Sequence, residues 1–170
     1  MLAARFPVHV TLRVGPDVWN LRSRRSFRVI GTALGAGAER LGLRLCDFSI
    51  QGNHIHLLVE ANGQVALARG IQGLCIRMAR GLNRMMGRKG RVFADRYHAH
   101  ILRTPTEVAR ARAYVRDNHR KHAERRGDSL RAGWVDPYSS ASHGHRIVLP
   151  APHTWLLRAG VARASRVSRE

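Results

Sequence analysis

Two histidines, His54 and His56, stand two residues apart in the apolar run GNHIHLLV at residues 52–59. In a strand, residues at this spacing point to the same face, so the two imidazoles would lie side by side while Ile55 faces the other way. Neutral imidazole is a common metal ligand in proteins. The pair therefore predicts part of a metal site, although an isolated His-x-His is more often a pair of ordinary sheet histidines.

Several metal-dependent chemistries need residues that this chain lacks. A zinc deaminase needs His-x-Glu followed by Cys-x-x-Cys, and a metalloprotease needs His-Glu-x-x-His on a helix. A nucleotide hydrolase of the histidine-triad type needs a third alternating histidine, and that position is Leu58. The histidine pair is therefore short of ligands and needs a partner from elsewhere in the chain.

Tyr114 and Asn118 lie four residues apart in a basic segment with helical character. Side chains at this spacing project from the same face of a helix. If that helix packs across the sheet near His54 and His56, two imidazoles, an amide oxygen and a phenol would meet. Such a site would keep open positions for phosphate oxygens and water.

The charge of the chain points to a polyanionic partner, with nucleic acid as the first candidate. Lys and Arg number 30 against 11 Asp and Glu, a formal net charge of +19 in 170 residues. Arginine dominates the basic set, and its planar fork suits phosphate oxygens. A run of basic residues is usually a surface exposed to solvent, but here such a run flanks Tyr114. We predict nucleic-acid contacts at Arg77, Arg84, Arg116, Arg120 and Lys121.

Hydrophobic periodicity predicts the elements that must position these residues. Strands are expected at 8–14, 43–51, 54–60 and 92–102, and helices at 24–41, 64–87 and 105 to about 122. The last helix starts with a capping box, TPTE at 104–107, with Pro at its first position. This order predicts an α+β fold, a ferredoxin-like βαββαβ core with a four-stranded antiparallel sheet, plus an additional C-terminal helix that carries Tyr114.

All predicted elements lie in residues 1–127, which we expect to form the catalytic domain. Residues 128–170 lose periodicity and predict an irregular, basic, partly mobile C-terminal extension.

Cys46 and Cys75 lack Cys-x-x-Cys spacing and predict buried free thiols in a reducing compartment. No apolar run approaches the about 20 residues of a membrane helix, and the first residues lack a signal-peptide core, so an intracellular protein without membrane contact is expected.

These motifs resemble those of the single-tyrosine HUH transposases, which comprise small insertion-sequence transposases and REP-associated tyrosine transposases. The first family motif is His, a bulky apolar residue and His, usually in a run like N-H-x-H-L-L, and residues 53–58 read NHIHLL. The second is Y-[IV]-x-x-N on a late helix, and residues 114–118 read YVRDN. The run VFADRY at 92–97 is similar to the strand between the two motifs. The resemblance covers roughly residues 5–125.

The resemblance implies a metal-dependent DNA transposase or nickase of the bacterial cytoplasm, associated with the nucleoid. It would cleave and rejoin single-stranded DNA, often beside a hairpin. His54, His56 and Asn118 would hold Mg²⁺ or Mn²⁺, and Tyr114 would form a 5′-phosphotyrosine intermediate. The resemblance leaves open whether the tyrosine acts within its own chain or across a homodimer. One departure is His119, which stands where many relatives have Pro.

Two other function classes fit the sequence. A nucleic-acid-binding protein derived from such a transposase would keep the charge and fold without cutting, and an RNA-binding module with an incidental His-x-His would need no metal. Tyr97 and Tyr138 compete as nucleophile, but we expect Tyr97 to pack within the fourth strand and Tyr138 to lie in a turn. His98 and His100 are interpreted as sheet-face or DNA-contact residues. The presence of all four proposed site residues favours the transposase.

Overall fold

The computed structural model describes residues 1–162. The strands are β1 Val8–Arg13, β2 Glu39–Arg40, β3 Leu43–Ile50, β4 His54–Ala61 and β5 His98–Ile101. The helices are α1 Arg24–Gly37, α2 Gln64–Met86 and α3 Pro105–Arg125, and a short π-helical segment follows at Leu156–Gly160. Within these residues, no helix combines the length and the apolar character needed to cross a membrane.

The strands form one antiparallel sheet in the order β2-β3-β4-β1-β5. Without the short β2, this is the strand order of a ferredoxin-like βαββαβ core, in which the first strand lies inside the sheet. The predicted fold is therefore confirmed, with one strand more than the four expected. The order also places β1 between β4 and β5, so residues far apart in the sequence become neighbours.

The sequence predicts that the first helix reaches Leu41, whereas α1 ends at Gly37 and a two-residue strand follows. This strand, β2, pairs with the start of β3. Leu41 and Gly42, which join the two, have φ of 55° and 74°. Positive φ at both central residues is the signature of a type I′ hairpin turn. A strand of two residues has no periodicity to detect, which explains the overlong predicted helix.

The predicted fourth strand at 92–102 is largely absent, because β5 starts only at His98. Phe93 bridges Val14, and His98 pairs with Thr11. The chain takes five residue steps from Phe93 to His98, but β1 takes only three from Val14 to Thr11. A one-to-one ladder cannot hold the two extra residues, so the strand is interrupted.

The two faces of the sheet differ because side chains alternate along each strand. One face is apolar and packs against α1 and α2 to form the main core; its buried members include Val8, Val10, Leu12, Ile55, Leu57 and Phe48. The other face carries polar side chains, and α3 packs across it. The polar members include His9, Thr11, His54, His56, Asp47 and Ser49. The functional site is therefore expected between α3 and the polar face of the sheet.

Residues 128–154 contain no helix or extended strand, whereas residues 155–162 of the predicted irregular extension are helical, and residues of the irregular part pack on the rest of the chain. Ser139 forms a β-bridge with Ser49 beside the edge of β3. Arg22 donates two hydrogen bonds to the carboxylate of Asp136, at 2.9 and 2.8 Å. The predicted domain boundary after residue 127 stays a prediction, and these contacts cross it.

Both cysteines in the described residues are free thiols, as predicted, with Cys46 buried and Cys75 half-buried. Burial raises the pKa of the Cys75 thiol to about 12. Burial, followed by the nearby Glu60 carboxylate, also raises the pKa of Cys46. Thiols with raised pKa values are poor nucleophiles, so both cysteines have a packing role.

Candidate active site

β1 and β4 bring four polar side chains together on the polar face. Thr11 lies directly opposite His56 in the antiparallel ladder, and His54 and His9 lie on either side. The ring centroids of His54 and His56 are 4.8 Å apart, with the rings nearly perpendicular at 87°. The His9 and His56 centroids are 5.2 Å apart. The expectation that the two motif histidines share one face agrees with this geometry.

His56 is the most enclosed of these histidines, with 4% of its surface exposed. Its Nδ1 lies 3.1 Å from Nε2 of His9 and 3.2 Å from Oγ1 of Thr11. Its Nε2 is buried and has no hydrogen-bond partner among the described residues. A buried polar atom without a partner costs free energy, so Nε2 is suited to a ligand that the chain itself does not supply.

Burial favours the neutral form of the histidines. Desolvation lowers the pKa of His56 to about 3, and the charges of His54, His9 and His122 act in the same direction. Desolvation also lowers the pKa of His9 to about 4, assisted by the two histidines of β5. The pKa of His54 is lowered too, mainly by desolvation. Neutral imidazole is the form that binds a metal ion, so these residues need not lose a proton at neutral pH.

α3 carries Tyr114 to the histidines. The helix starts with the predicted capping box: Thr104 Oγ1 accepts a hydrogen bond from the Glu107 amide, and Glu107 Oε2 accepts one from the Thr104 amide. These bonds determine where the helix begins and therefore which residues face the sheet. The Tyr114 ring lies edge-on to the rings of His56 and His9, with centroid distances of 5.2 and 5.9 Å.

Asn118 lies one helical turn after Tyr114 and is only 1% exposed. Its Nδ2 is buried and has no hydrogen-bond partner within residues 1–162. A half-turn of the amide exchanges nitrogen for oxygen, so either atom can occupy this position. Of the four buried side-chain atoms without a partner in the described residues, two belong to the predicted ligands His56 and Asn118.

The metal-binding capacity of the site depends on this amide. No group of three or more His, Cys, Asp or Glu side chains is arranged to hold a metal in the part of the chain that the structure describes. The predicted set instead combines the imidazoles of His54 and His56 with the amide of Asn118. A hard divalent cation accepts such an oxygen ligand and would keep open positions for phosphate oxygens.

A buried carboxylate holds α3 on β3. Asp47 is 1% exposed and accepts hydrogen bonds of 2.9 Å from Nε of Arg112, Nε of Arg116 and Oγ of Ser140. Charge-assisted bonds of this kind are stronger than neutral ones, so Asp47 stabilises the orientation of the helix. Arg116 therefore has a structural partner, and its contact with DNA stays a prediction.

The other predicted DNA contacts divide between the two sides of the sheet. Lys121 Nζ lies 5.6 Å from the centroid of the Tyr114 ring, and Arg120 donates a hydrogen bond of 2.6 Å to a backbone carbonyl of the C-terminal segment. Arg77 and Arg84 belong to α2 on the opposite side. Lys121 is thus the basic residue of this set that contacts the proposed nucleophile, and DNA binding by all five stays a prediction.

An open cleft lies beside Tyr114. Its charged and polar lining consists of His9 of β1, His100 of β5, and Arg110, Lys121 and the capping residue Glu107 of α3. His100 stands directly opposite His9 in the ladder and is exposed, as expected for a sheet-face residue. A phenol beside several cationic or hydrogen-bonding side chains is a suitable environment for a phosphodiester.

The two competing tyrosines lie elsewhere. Tyr97 is half-buried against the main core, outside β5 rather than within the predicted strand. Tyr138 lies in a turn, as expected, with its ring edge-on to Phe27 at 5.1 Å. Among the described residues, Tyr114 is the tyrosine whose ring contacts His56, so it is the candidate nucleophile on geometric grounds.

Sequence reasoning missed His9 and Thr11, the two partners of His56. The available signal was the alternation in VHVTLR at residues 8–13, which places polar residues on one face of β1. In a ferredoxin-like sheet, this strand pairs with the strand that carries the histidine motif. The predicted topology could therefore have placed these side chains beside His56.

The chain is similar in sequence and in fold to known transposases. The family model described as "Transposase IS200 like" matches residues 23–118, more than half of the chain. A solved REP-associated tyrosine transposase bound to a REP hairpin has a TM-score of 0.61 and 13% identity, covering 82% of this chain and 78% of that one. A putative transposase from Deinococcus radiodurans R1 has a TM-score of 0.48 and 15% identity, with 72% and 92% coverage. No curated protein matches the chain.

Proposed function

This chain belongs to the family of IS200-like transposases, and from that premise we propose that it cleaves and rejoins single-stranded DNA through a covalent bond to Tyr114. The observation that carries the proposal is the contact between the Tyr114 ring and the buried His56 ring, 5.2 Å between centroids. A similar fold has been solved with a REP hairpin bound. We therefore propose single-stranded DNA beside a hairpin as the substrate.

The proposed reaction is a transesterification. The phenolic oxygen of Tyr114 attacks the phosphorus of a DNA phosphodiester, the bond from phosphorus to the 3′ oxygen breaks, and a 5′-phosphotyrosine ester forms. The phenol loses its proton and the leaving 3′ oxygen gains one. In the second step, a 3′-hydroxyl attacks the ester and releases the tyrosine. Because one ester replaces another, rejoining needs no ATP.

The chain orients the nucleophile and stabilises its charge. A free phenol has a pKa of about 10, so attack at neutral pH requires a group that favours the phenolate. The ammonium group of Lys121 lies over the Tyr114 ring, 5.6 Å from its centroid, and a nearby cation favours the phenolate. The rings of His9 and His56 pack edge-on against the tyrosine and restrict its orientation.

His54, His56 and Asn118 would hold Mg²⁺ or Mn²⁺. Three observations support the fit: the lowered pKa values of the histidines, the partnerless Nε2 of His56, and the partnerless amide of Asn118. Such an ion, when bound, polarises the scissile phosphate and offsets its negative charge. The role of the three side chains is to keep neutral donor atoms in fixed positions beside Tyr114.

Formation of a covalent adduct tests the proposal. The full chain is incubated with hairpin-bearing single-stranded DNA and Mn²⁺, and the products are separated on a denaturing gel. We expect an adduct with the unmodified chain and none with Tyr114→Phe, because phenylalanine keeps the ring packing but lacks the attacking oxygen. Tyr97→Phe is the matched control and should keep the adduct.

Two results would contradict the proposal in different ways. An adduct that persists in Tyr114→Phe would refute this residue as the nucleophile. An unmodified chain that binds the DNA but forms no adduct would support the alternative, a DNA-binding protein derived from a transposase.

A further inference from the structure

A groove separate from the cleft beside Tyr114 lies along α1, between this helix and the segment at residues 137–147. Its volume is about 710 Å³. Since α1 packs on the apolar face of the sheet and α3 on the polar face, the sheet separates this groove from Tyr114. We call it the α1 groove, and nothing in the proposed cleavage reaction uses it.

The rim of the α1 groove is cationic. Arg24 and Arg28 of α1 and Arg146 of the opposite wall are exposed, and none of the described residues that line the groove is acidic. Within residues 1–162, none of these three arginines forms an ion pair with a carboxylate. Their charge is therefore available to an anionic ligand.

The floor of the groove is aromatic and apolar. Phe27, Tyr138 and Ile147 are partly buried there, and the His145 ring lies 6.0 Å from that of Phe27. A DNA duplex would present only phosphates, because its bases are stacked inside. A single strand presents both phosphates and base faces, which is the combination that a cationic rim and an aromatic floor recognise.

Two glycines of α1 shape the groove. A Cβ at Gly31 would lie 2.8 Å from Cδ1 of Ile147, so glycine lets the opposite wall approach the helix. A Cβ at Gly35 would meet nothing within 4 Å, so the groove is open at that end. From Arg24 to Gly35 the helix extends about 16 Å at 1.5 Å per residue, which is long enough for a short stretch of single strand.

We propose that the α1 groove binds a single-stranded segment of DNA outside the cleavage cleft. Phosphates would contact Arg24, Arg28 and Arg146, and bases would lie against Phe27 and Tyr138. The choice of DNA rests on the proposed function, whereas the groove and its charge do not. The groove would hold a stretch of strand away from the reacting phosphate.

The first test measures how tightly the full chain binds an oligothymidylate of ten nucleotides, which forms no hairpin. Binding is followed by the fluorescence anisotropy of the oligonucleotide, with EDTA present so that no metal ion contributes. For single strands, each phosphate contact lowers log K by about 0.7 for a tenfold rise in salt concentration. Loss of one contact in Arg28→Glu should therefore weaken binding at least about fivefold at 0.1 M salt. It should also make the slope of log K against log salt shallower by about 0.7. Arg69→Glu, an exposed site on α2 with the same charge change, should alter affinity less than about twofold. Equal weakening by both variants would overturn the proposal, because it would indicate diffuse electrostatics.

The second test locates the strand. Gly35→Glu and Gly35→Gln place side chains of equal size at the open end, and only the carboxylate should repel phosphates, so the Glu variant should bind more weakly. A 5-iododeoxyuridine strand should photocrosslink to peptides that contain Phe27, Tyr138 or His145. Crosslinks confined to α3 and β4 would overturn the proposal that the α1 groove binds DNA.

The two proposals can fail separately. If the unmodified chain forms no covalent adduct but crosslinks to DNA at the groove, only the proposed cleavage reaction is refuted. A normal adduct without groove crosslinks would refute only the α1 groove.

Discussion

His56 presents two different nitrogens to its surroundings. Nδ1 faces both Nε2 of His9 and Oγ1 of Thr11, whereas Nε2 is buried without a partner in the described residues. If Nδ1 carries the proton and donates it to one of these acceptors, Nε2 keeps a lone pair for a metal. Partners of this kind orient a ligating histidine and determine its tautomer. His9 and Thr11 are therefore positioning residues in our interpretation.

Removal of both acceptors should weaken metal binding. We expect His9→Leu with Thr11→Val to lower Mn²⁺ affinity by about tenfold or more, the range found for partners of ligating histidines. Electron paramagnetic resonance of the chain without DNA measures free Mn²⁺ and therefore does not depend on activity. His9→Gln, which keeps an acceptor, should recover part of the affinity.

The matched control is His143→Leu, which removes an exposed histidine from a different part of the molecule and should leave Mn²⁺ binding unchanged. Unchanged affinity in the double variant would show that His9 and Thr11 have only a packing role.

At the scale of elements, the site depends on how α3 lies across the sheet. Its start is determined locally by the capping box. Its orientation is determined by Asp47, which links Arg112 and Arg116 of the helix to β3 and also binds Ser140. Because Tyr114 lies between the two arginines in the sequence, a shift of this contact would move the nucleophile relative to His56.

Asp47→Asn should destabilise the fold by about 1.5–3 kcal/mol, the value of charge-assisted hydrogen bonds. The loss should stay below that of a fully buried pair, because the two arginines are 26% and 39% exposed and can reach solvent. Urea unfolding measures the difference. The variant should also form less adduct than the fraction of folded protein predicts, because α3 loses the contact that determines its orientation.

Asp128→Asn provides the comparison. Asp128 pairs with Arg126 at an exposed position, where such a pair contributes about 0–1 kcal/mol. If Asp47→Asn costs no more than Asp128→Asn, the proposed anchoring of α3 is wrong.

At the scale of the whole molecule, residues 128–162 pack against both apolar clusters, the main core and a second cluster on the other face of the sheet. Leu156 and Leu157 form a second apolar cluster with Leu58 of β4 and Val108 of α3. Glu60 of β4, only 5% exposed, accepts backbone hydrogen bonds from residues 153 and 154. These contacts make the segment part of the structure that supports α3.

Leu157→Ala should therefore destabilise the whole domain by about 2–4 kcal/mol, because it leaves a cavity in the second cluster. Thermal unfolding followed by circular dichroism should still show one transition, at lower temperature. Val148→Ala, at a side chain that is 82% exposed, should change stability by less than about 0.5 kcal/mol. Two separate transitions, or no loss in Leu157→Ala, would indicate that residues beyond 127 form an independent extension.

Features that depend on local spacing could be predicted from the amino-acid sequence. Period-two alternation places His54 and His56 on one face, and the four-residue spacing places Tyr114 and Asn118 on one helical stripe. The capping box predicts the start of α3, and the order of elements predicts the ferredoxin-like sheet. Each of these signals lies within one element or in the simple order of elements, so no knowledge of packing is required.

The contacts between side chains of different elements follow from the tertiary structure and could not be predicted from spacing. It placed His9 and Thr11 against His56, joined Asp47 to two arginines of α3, and formed the α1 groove from a helix and a distant irregular segment. It also interrupted β5, because the number of residues that a ladder can hold depends on the partner strand. Such contacts join residues many positions apart, and their geometry depends on how whole faces pack, for which the spacing within a single element carries no signal.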